Sequence, residues 1–170
     1  TNETKNIIGV ETRVVYEQAW LEGELIEETY DWFSQDREGN VWYFGEDSKE
    51  FEDGEVSTTF GSWEAGVNNA KPGILMKAKP KVGEFWYQEY AEGEAIDTSE
   101  ILETNASIDT KFGSFTGCIK NKEGSALAKD LLEHKYYCPK AGNVVYTVDV
   151  RSGEEEILVD IIKEIGRAHV

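Results

Sequence analysis

Histidine is nearly missing from this chain: His134 and His169 are the two in 170 residues. His169 lies in the terminal segment Glu164–Val170, which is expected to lie outside the natural chain. A Ser-His-acid or Cys-His nucleophile would therefore have to be built on His134, and no Gly-x-Ser-x-Gly elbow accompanies it. His134 stands between Glu133 and Lys135 at the start of a predicted strand, where an exposed or locally bonded imidazole is the expectation. Cysteine is as scarce, with Cys118 and Cys138 alone, and two cysteines with one histidine do not make a zinc site. Both fall in predicted strands, and two readings stay open: a disulfide between neighbouring strands of an exported protein, or two half-buried thiols. Basic residues are few, 17 against 34 acidic ones, for a net charge of -17. Such a field excludes nucleic acid and anionic membrane surfaces as natural partners while admitting cations and basic proteins. It also suits solubility in a salty or extracellular setting. No apolar run approaches the ~20 residues of a membrane span. Gly61-Ser62-Trp63-Glu64-Ala65-Gly66 has neither the lysine nor the helix that a phosphate loop needs.

What the chain does have is aromatic mass in alternating runs. From Tyr30 to Asp47 it reads YDWFSQDREGNVWYFGED. Trp32 and Phe33 precede the turn Asp36-Arg37-Glu38-Gly39-Asn40, and Val41, Trp42, Tyr43 and Phe44 follow it. Aromatic and β-branched runs on both sides of a Gly/Asn/Asp cluster predict a β-hairpin. The same grammar continues along the chain. Val10 to Trp20, Leu25 to Gln35, Val41 to Glu46 and Val56 to Trp63 read as strands, separated by the turns Leu21–Glu24, Asp36–Asn40 and Glu52–Glu55. Ala65 to Pro80 reads as a long ordered loop with an apolar plug, Ile74-Leu75-Met76. Further strands are expected at Phe85–Tyr90, Ala95–Thr104, Ile108–Thr110, Thr116–Asn121, Lys135–Cys138, Val144–Val150 and Glu156–Ile162. Ser125 to Leu132 is the one stretch with helix propensity. The fold class is therefore mainly β: a curved antiparallel sheet or incomplete barrel in a meander, with at most one short helix, forming a single domain over residues 1–163. A break into two sub-sheets near Ala65 to Pro80 is compatible with this pattern.

Three kinds of site are compatible with these residues. Asp36, Glu38 and Asn40 alternate within one turn, with Glu46 and Asp47 across the hairpin, and hard oxygen ligands on a tight loop suit calcium. The spacing is too short for an EF-hand, and Asp and Asn also favour such turns for backbone reasons. Ser34, Asp36, Gly39 and Trp42 are similar to the Asp-box turn of sialidase-type propellers. Here the turn has an extra residue before the glycine and occurs once, in a chain too short for a propeller. Trp32, Trp42, Trp63 and Trp86 are candidates to line an apolar or sugar-binding cavity, with core packing as the alternative. Paired carboxylates, which a glycoside hydrolase needs, are too abundant here to be informative. Asn2-Glu3-Thr4 and Asn105-Ala106-Ser107 match the N-glycosylation pattern at a frequency near chance.

The last seven residues, Glu164 to Val170 (EIGRAHV), match a read-through translation of a short-read sequencing adapter. The natural chain is accordingly expected to end near Lys163, in an open reading frame from assembled environmental or draft DNA. Thr1 is not a methionine, so earlier sequence is expected before it.

Five phrases together resemble a family of uncharacterised secreted or lipoprotein-type bacterial proteins. They are Thr29–Phe33, Gln35–Glu46 (QDREGNVWYFGE), Gly61–Gly66 (GSWEAG), Lys71-Pro72-Gly73-Ile74 and His134–Pro139 (HKYYCP). The resemblance covers about Ile8 to Ile162 and brings no catalytic residues with it. It implies export to the periplasm, cell envelope or exterior, by a signal lying outside this sequence. Many relatives carry a small residue in place of Cys138, so a Cys118–Cys138 bridge would be local to this chain. The resulting expectation is a non-enzymatic envelope or extracellular binding module without a required cofactor. It would hold a small apolar ligand or a surface partner on the concave face of the sheet. The alternatives are a calcium-dependent structural or adhesion module and a carbohydrate-active hydrolase using paired acids.

Overall fold

The computed structural model describes residues 1–162, which form β-strands and no helix. The mainly antiparallel β architecture expected from the sequence is carried by two open sheets, neither closed into a barrel. Each sheet belongs to its own compact unit. Unit 1 holds Thr1–Ala78 and Gln88–Ile96, and unit 2 holds Lys79–Tyr87 and Asp97–Ile162.

Unit 1 opens with a four-strand meander: β1 (Thr4–Ile7), β2 (Val10–Leu21), β3 (Glu24–Gln35) and β4 (Val41–Glu52). Both β5 (Glu55–Thr58) and β6 (Trp63–Glu64) pair with β4, which β7 (Lys71–Met76) also joins. Three hairpins in this unit use two-residue loops whose central residues both have positive φ: Ile8-Gly9, Glu22-Gly23 and Asp53-Gly54. Left-handed loops of this kind match the right-handed twist of the flanking strands. The cross-strand pairs then fill the core. Val14 faces Trp32, and Phe33 stacks on Tyr43 with ring centroids 4.6 Å apart. Tyr43 in turn meets the edge of Trp63 at 5.5 Å. Ile7, Phe44, Ala65, Ala70, Ala91 and Ala95 complete the buried cluster.

The chain then alternates between units. β8 (Phe85–Tyr87) pairs with a unit 2 strand, and β9 (Glu89–Tyr90) returns to pair with β7. The continuous strand expected over Phe85–Tyr90 is thus divided at Gln88. The expected loop at Ala65–Pro80 also needs correcting, since Lys71–Met76 is a strand. Pro72 and Gly73 read as breakers, but Gly73 is there because the backbones approach closely. A Cβ on Gly73 would lie 1.9 Å from the Gln88 carbonyl oxygen, a contact only glycine avoids.

Unit 2 is a second meander: β10 (Asp97–Thr110), β11 (Gly113–Ser125), β12 (Leu132–Cys138), β13 (Asn143–Asp149) and β14 (Glu155–Ile157), with β8 on the outer edge of β10. The expected gap between Thr104 and Ile108 is absent. The β10–β11 ladder instead runs through it with three register shifts, the irregularities that bend and twist a paired strand. The stretch expected to be helical is a turn in which the Leu131 N–H donates to the Ala128 carbonyl. Both ends of that stretch are claimed by strands, and an isolated helix of so few residues is not stable in water. Cys118 and Cys138 are bonded to each other across β11 and β12, with Cα atoms 4.3 Å apart. They lie in the unit 2 core with Ala106, Phe115 and Val145.

Candidate functional site

Asp36 is a turn-former in its first role. Its carboxylate accepts from the Asn40 backbone N–H at 2.9 Å, from Asn40 Nδ2 at 2.8 Å and from Trp42 Nε1 at 2.8 Å. Asn40 Oδ1 accepts from the Ala78 N–H, tying the turn to the segment after β7. Glu38 is exposed. Glu46 and Asp47 sit on β4 beyond the near end of the hairpin, about 16 Å or more along the strand from Val41 at ~3.3 Å per residue. Glu46 accepts from Tyr43 Oη at 3.0 Å, and Asp47 is exposed opposite Tyr30. The five oxygen-bearing residues thus divide between the turn and the middle of β4. Among the described residues no group of three or more His, Cys, Asp or Glu side chains is arranged to hold a metal ion.

The Trp42 and Asn40 hydrogen bonds pull the Asp36 pKa down to about 2 from 3.8. A carboxylate with a depressed folded-state pKa stabilises above its unfolded value and loses that contribution as pH falls through the folded one. The melting-temperature gap between wild type and Asp36→Asn is therefore expected to be constant above about pH 5. It should close between about pH 4 and pH 2. A gap unchanged across that window would show that the charge does not hold the turn.

The tryptophans are used in packing and in local hydrogen bonds. Trp32 is buried with the Lys5 ammonium 3.2 Å from its ring centroid. Trp63 is buried against Tyr43 and donates Nε1–H to Glu89 at 3.0 Å. Trp42 packs at the edge of the same core and is bonded to Asp36. Trp86 is buried in unit 2, opposite Ser99. Three of the four thus share the unit 1 core, and the fourth belongs to the other unit.

Two buried polar clusters were not visible in the sequence pattern. In unit 1, Asp31 and Glu46 stand opposite each other on β3 and β4, and both accept from Tyr43 Oη, at 2.5 and 3.0 Å. Burial, then the charges of Asp31, Glu46 and Glu89, push the Tyr43 pKa well above its ordinary value. The phenol stays a neutral donor shared by two acids. In unit 2, the registers Ser99↔Glu123, Ile101↔Asn121 and Asn121↔Lys135 collect a polar group on neighbouring strands. Glu123 Oε1 accepts from Tyr137 Oη at 2.7 Å and from Asn121 Nδ2 at 3.3 Å. Its other oxygen lies 3.5 Å from Lys135 Nζ. Lys135 also reaches Glu133 at 3.2 Å. Burial favours the neutral form of Lys135, but Glu123, Tyr137 and Glu133 outweigh it and hold the pKa well above the ordinary value. Burial raises the Asp97 pKa, while a Ser125 hydrogen bond and Lys135 oppose the rise. Asn121 is fully buried, and its Oδ1 has no hydrogen-bond partner among the described residues. His134, on the same strand as Lys135, has a pKa lowered by burial and then by Lys120 and Lys122. This environment is the reverse of the carboxylate-supported imidazole of a catalytic triad.

An exposed apolar feature of unit 1 lies at the far ends of its hairpins, apart from Ile8, Phe60 and Val67, which are exposed elsewhere in the unit. The β3–β4 ladder ends at Glu27↔Glu50, while the β2–β3 hairpin runs on to Leu21↔Glu24 and the β4–β5 hairpin to Glu52↔Glu55. The two ends part and leave a cleft of about 440 Å³ lined by Glu24, Leu25, Phe51, Asp53 and Gly54. Trp20, Leu21 and Val56 stand on the same hairpin ends with more than half their surface exposed. No sequence signal singled them out, because a hairpin's outer apolar residues look like its inner ones until the register is known.

Comparison with protein-family models, with curated proteins and with solved structures finds no match.

Proposed function

We propose that this chain is an exported, non-enzymatic binding module of the bacterial envelope or exterior. It engages a surface partner through the adjoining ends of the β2–β3 and β4–β5 hairpins. The observation that carries this reading is the parted hairpin ends, where Trp20, Leu21 and Val56 remain exposed around a cleft. Large apolar groups held out on rigid strands are what a protein interface uses for its anchors. The tryptophans expected to line a small-molecule cavity are instead engaged in packing, which favours the surface partner over the small apolar ligand. Export is supported by the buried Cys118–Cys138 bridge, since bridges of this kind persist in oxidising compartments, and by the resemblance set out above.

The test is a selection from a random displayed-peptide library against the folded chain, run in parallel on a Trp20→Ser/Val56→Ser variant. Sequences enriched on wild type are expected to be lost on the variant. Equal enrichment on both proteins, or none on either, would overturn the reading.

A further inference from the structure

The chemistry of the partner can be narrowed, on the premise that the hairpin ends are the binding surface. Residues 20–26 read WLEGELI and residues 50–56 read EFEDGEV. They carry Glu22, Glu24, Glu50, Glu52, Asp53 and Glu55, with no lysine or arginine among them. Inside this acidic rim the cleft offers two half-buried apolar side chains, Leu25 and Phe51. It also offers strand edge: residues 24–26 of β3 and 51–52 of β4 carry no rung of the β3–β4 ladder, and alternate residues of a strand turn their backbone groups to such an unpaired edge. An extended segment laid along such an edge gains main-chain hydrogen bonds, and its side chains supply selectivity.

We propose that the cleft takes an extended peptide segment of a partner protein, with one large aliphatic side chain flanked on both sides by lysine or arginine. The aliphatic group would enter between Leu25 and Phe51, and its basic neighbours would meet the carboxylates on the two turns. A volume of about 440 Å³ lies in the lower part of the range of ligand pockets and has room for a few side chains of an extended segment, not for a folded surface. Charge decides between occupants. A second copy of this chain, at -17, and an anionic lipid surface would both bring like charge to the rim.

The test is fluorescence anisotropy on the full chain with labelled peptides of sequence GSKKLKKSG, GSKKGKKSG and GSEELEESG. The first is expected to bind, with affinity falling steeply between ~50 and ~300 mM salt. The second, lacking the aliphatic group, should bind at least roughly tenfold more weakly, and the third should not bind. Glu24→Gln/Asp53→Asn should weaken the first peptide by roughly tenfold. Asparagine tolerates the positive φ at position 53, so the turn survives the change. The control Glu3→Gln/Glu11→Gln removes the same charge at the opposite end of β2 and should leave binding unchanged. Equal losses in the two double variants would mean diffuse attraction to an acidic protein and would overturn the proposal. So would equal binding of GSKKLKKSG and GSKKGKKSG. A displayed-peptide selection that depends on Trp20 and Val56 but enriches no basic residues would sink this inference and leave the proposed function standing.

Discussion

Replacing Cys118 and Cys138 together by alanine is expected to cost about 3 kcal/mol of stability. The bridge joins residues with a sequence separation of 20, and closing a loop of that size removes about that much free energy from the unfolded chain. Both sulfurs are buried in the unit 2 core, so the variant also loses packing there. The size of the melting shift carries further information. If unit 2 melts by itself, its size is that of a small domain, where each kcal/mol moves the midpoint by about 4–8 °C. If the whole chain melts together, the figure is about 2–4 °C. Calorimetry of wild type and variant therefore reports both the strength of the bridge and the cooperativity of the two units. A shift below about 2 °C would show that the bridge constrains little.

How far the fold could be read from the sequence depends on which rules are local. Turns are local. Glu22-Gly23 and Asp53-Gly54 place a glycine where a two-residue hairpin loop needs positive φ, so both turns were legible, and β2 and β3 with them; but the strand expected over Val41–Glu46 runs on to Glu52, and the one expected over Val56–Trp63 stops at Thr58. Ile8-Gly9 makes the same loop, but isoleucine seldom adopts positive φ, and Ile8 does so here at 45°. β7 was illegible for a different reason. Pro72 and Gly73 break strands in general, and only the approach of the Gln88 backbone explains the glycine. The aromatic residues were legible as apolar mass, yet whether Trp32 lines a cavity or fills a core depends on Lys5 and Val14 being across from it. The unit 2 polar cluster is the extreme case. Ser99, Asn121, Glu123 and Lys135 come together through ladder register, and the β10–β11 register shifts at Ile101/Glu103. No window of sequence contains that information. The exposed hairpin ends were hidden likewise, because the sequence shows that both hairpins exist but not that their ladder stops at Glu27↔Glu50.

Lys135→Met is expected to lower stability by about 3 kcal/mol at neutral pH, the scale on which removing one partner strands a buried charge. Glu123 keeps its Tyr137 and Asn121 donors but loses its cation, and its side chain is only 8 % exposed. Glu133 and Asp97 lose the same positive charge. The pH dependence gives the sign. Asp97 already has a raised pKa, and an acid with a raised folded-state pKa destabilises the fold as pH climbs from its unfolded value through the folded one. Without Lys135 only the Ser125 hydrogen bond opposes that rise. The penalty for Lys135→Met should accordingly be small near pH 4 and full near about pH 7, as read by denaturant unfolding at both. Adding Glu123→Gln should recover part of the loss, because the stranded charge goes with it. The wild-type contribution runs the other way at high pH. Lys135 has a folded-state pKa well above 10.5, so its stabilisation is fully present below that unfolded value and is lost only as pH rises through the folded one. A Lys135→Met penalty that is the same at both pH values and indifferent to Glu123→Gln would show that packing of the lysine stem, rather than its charge, holds β11 to β12.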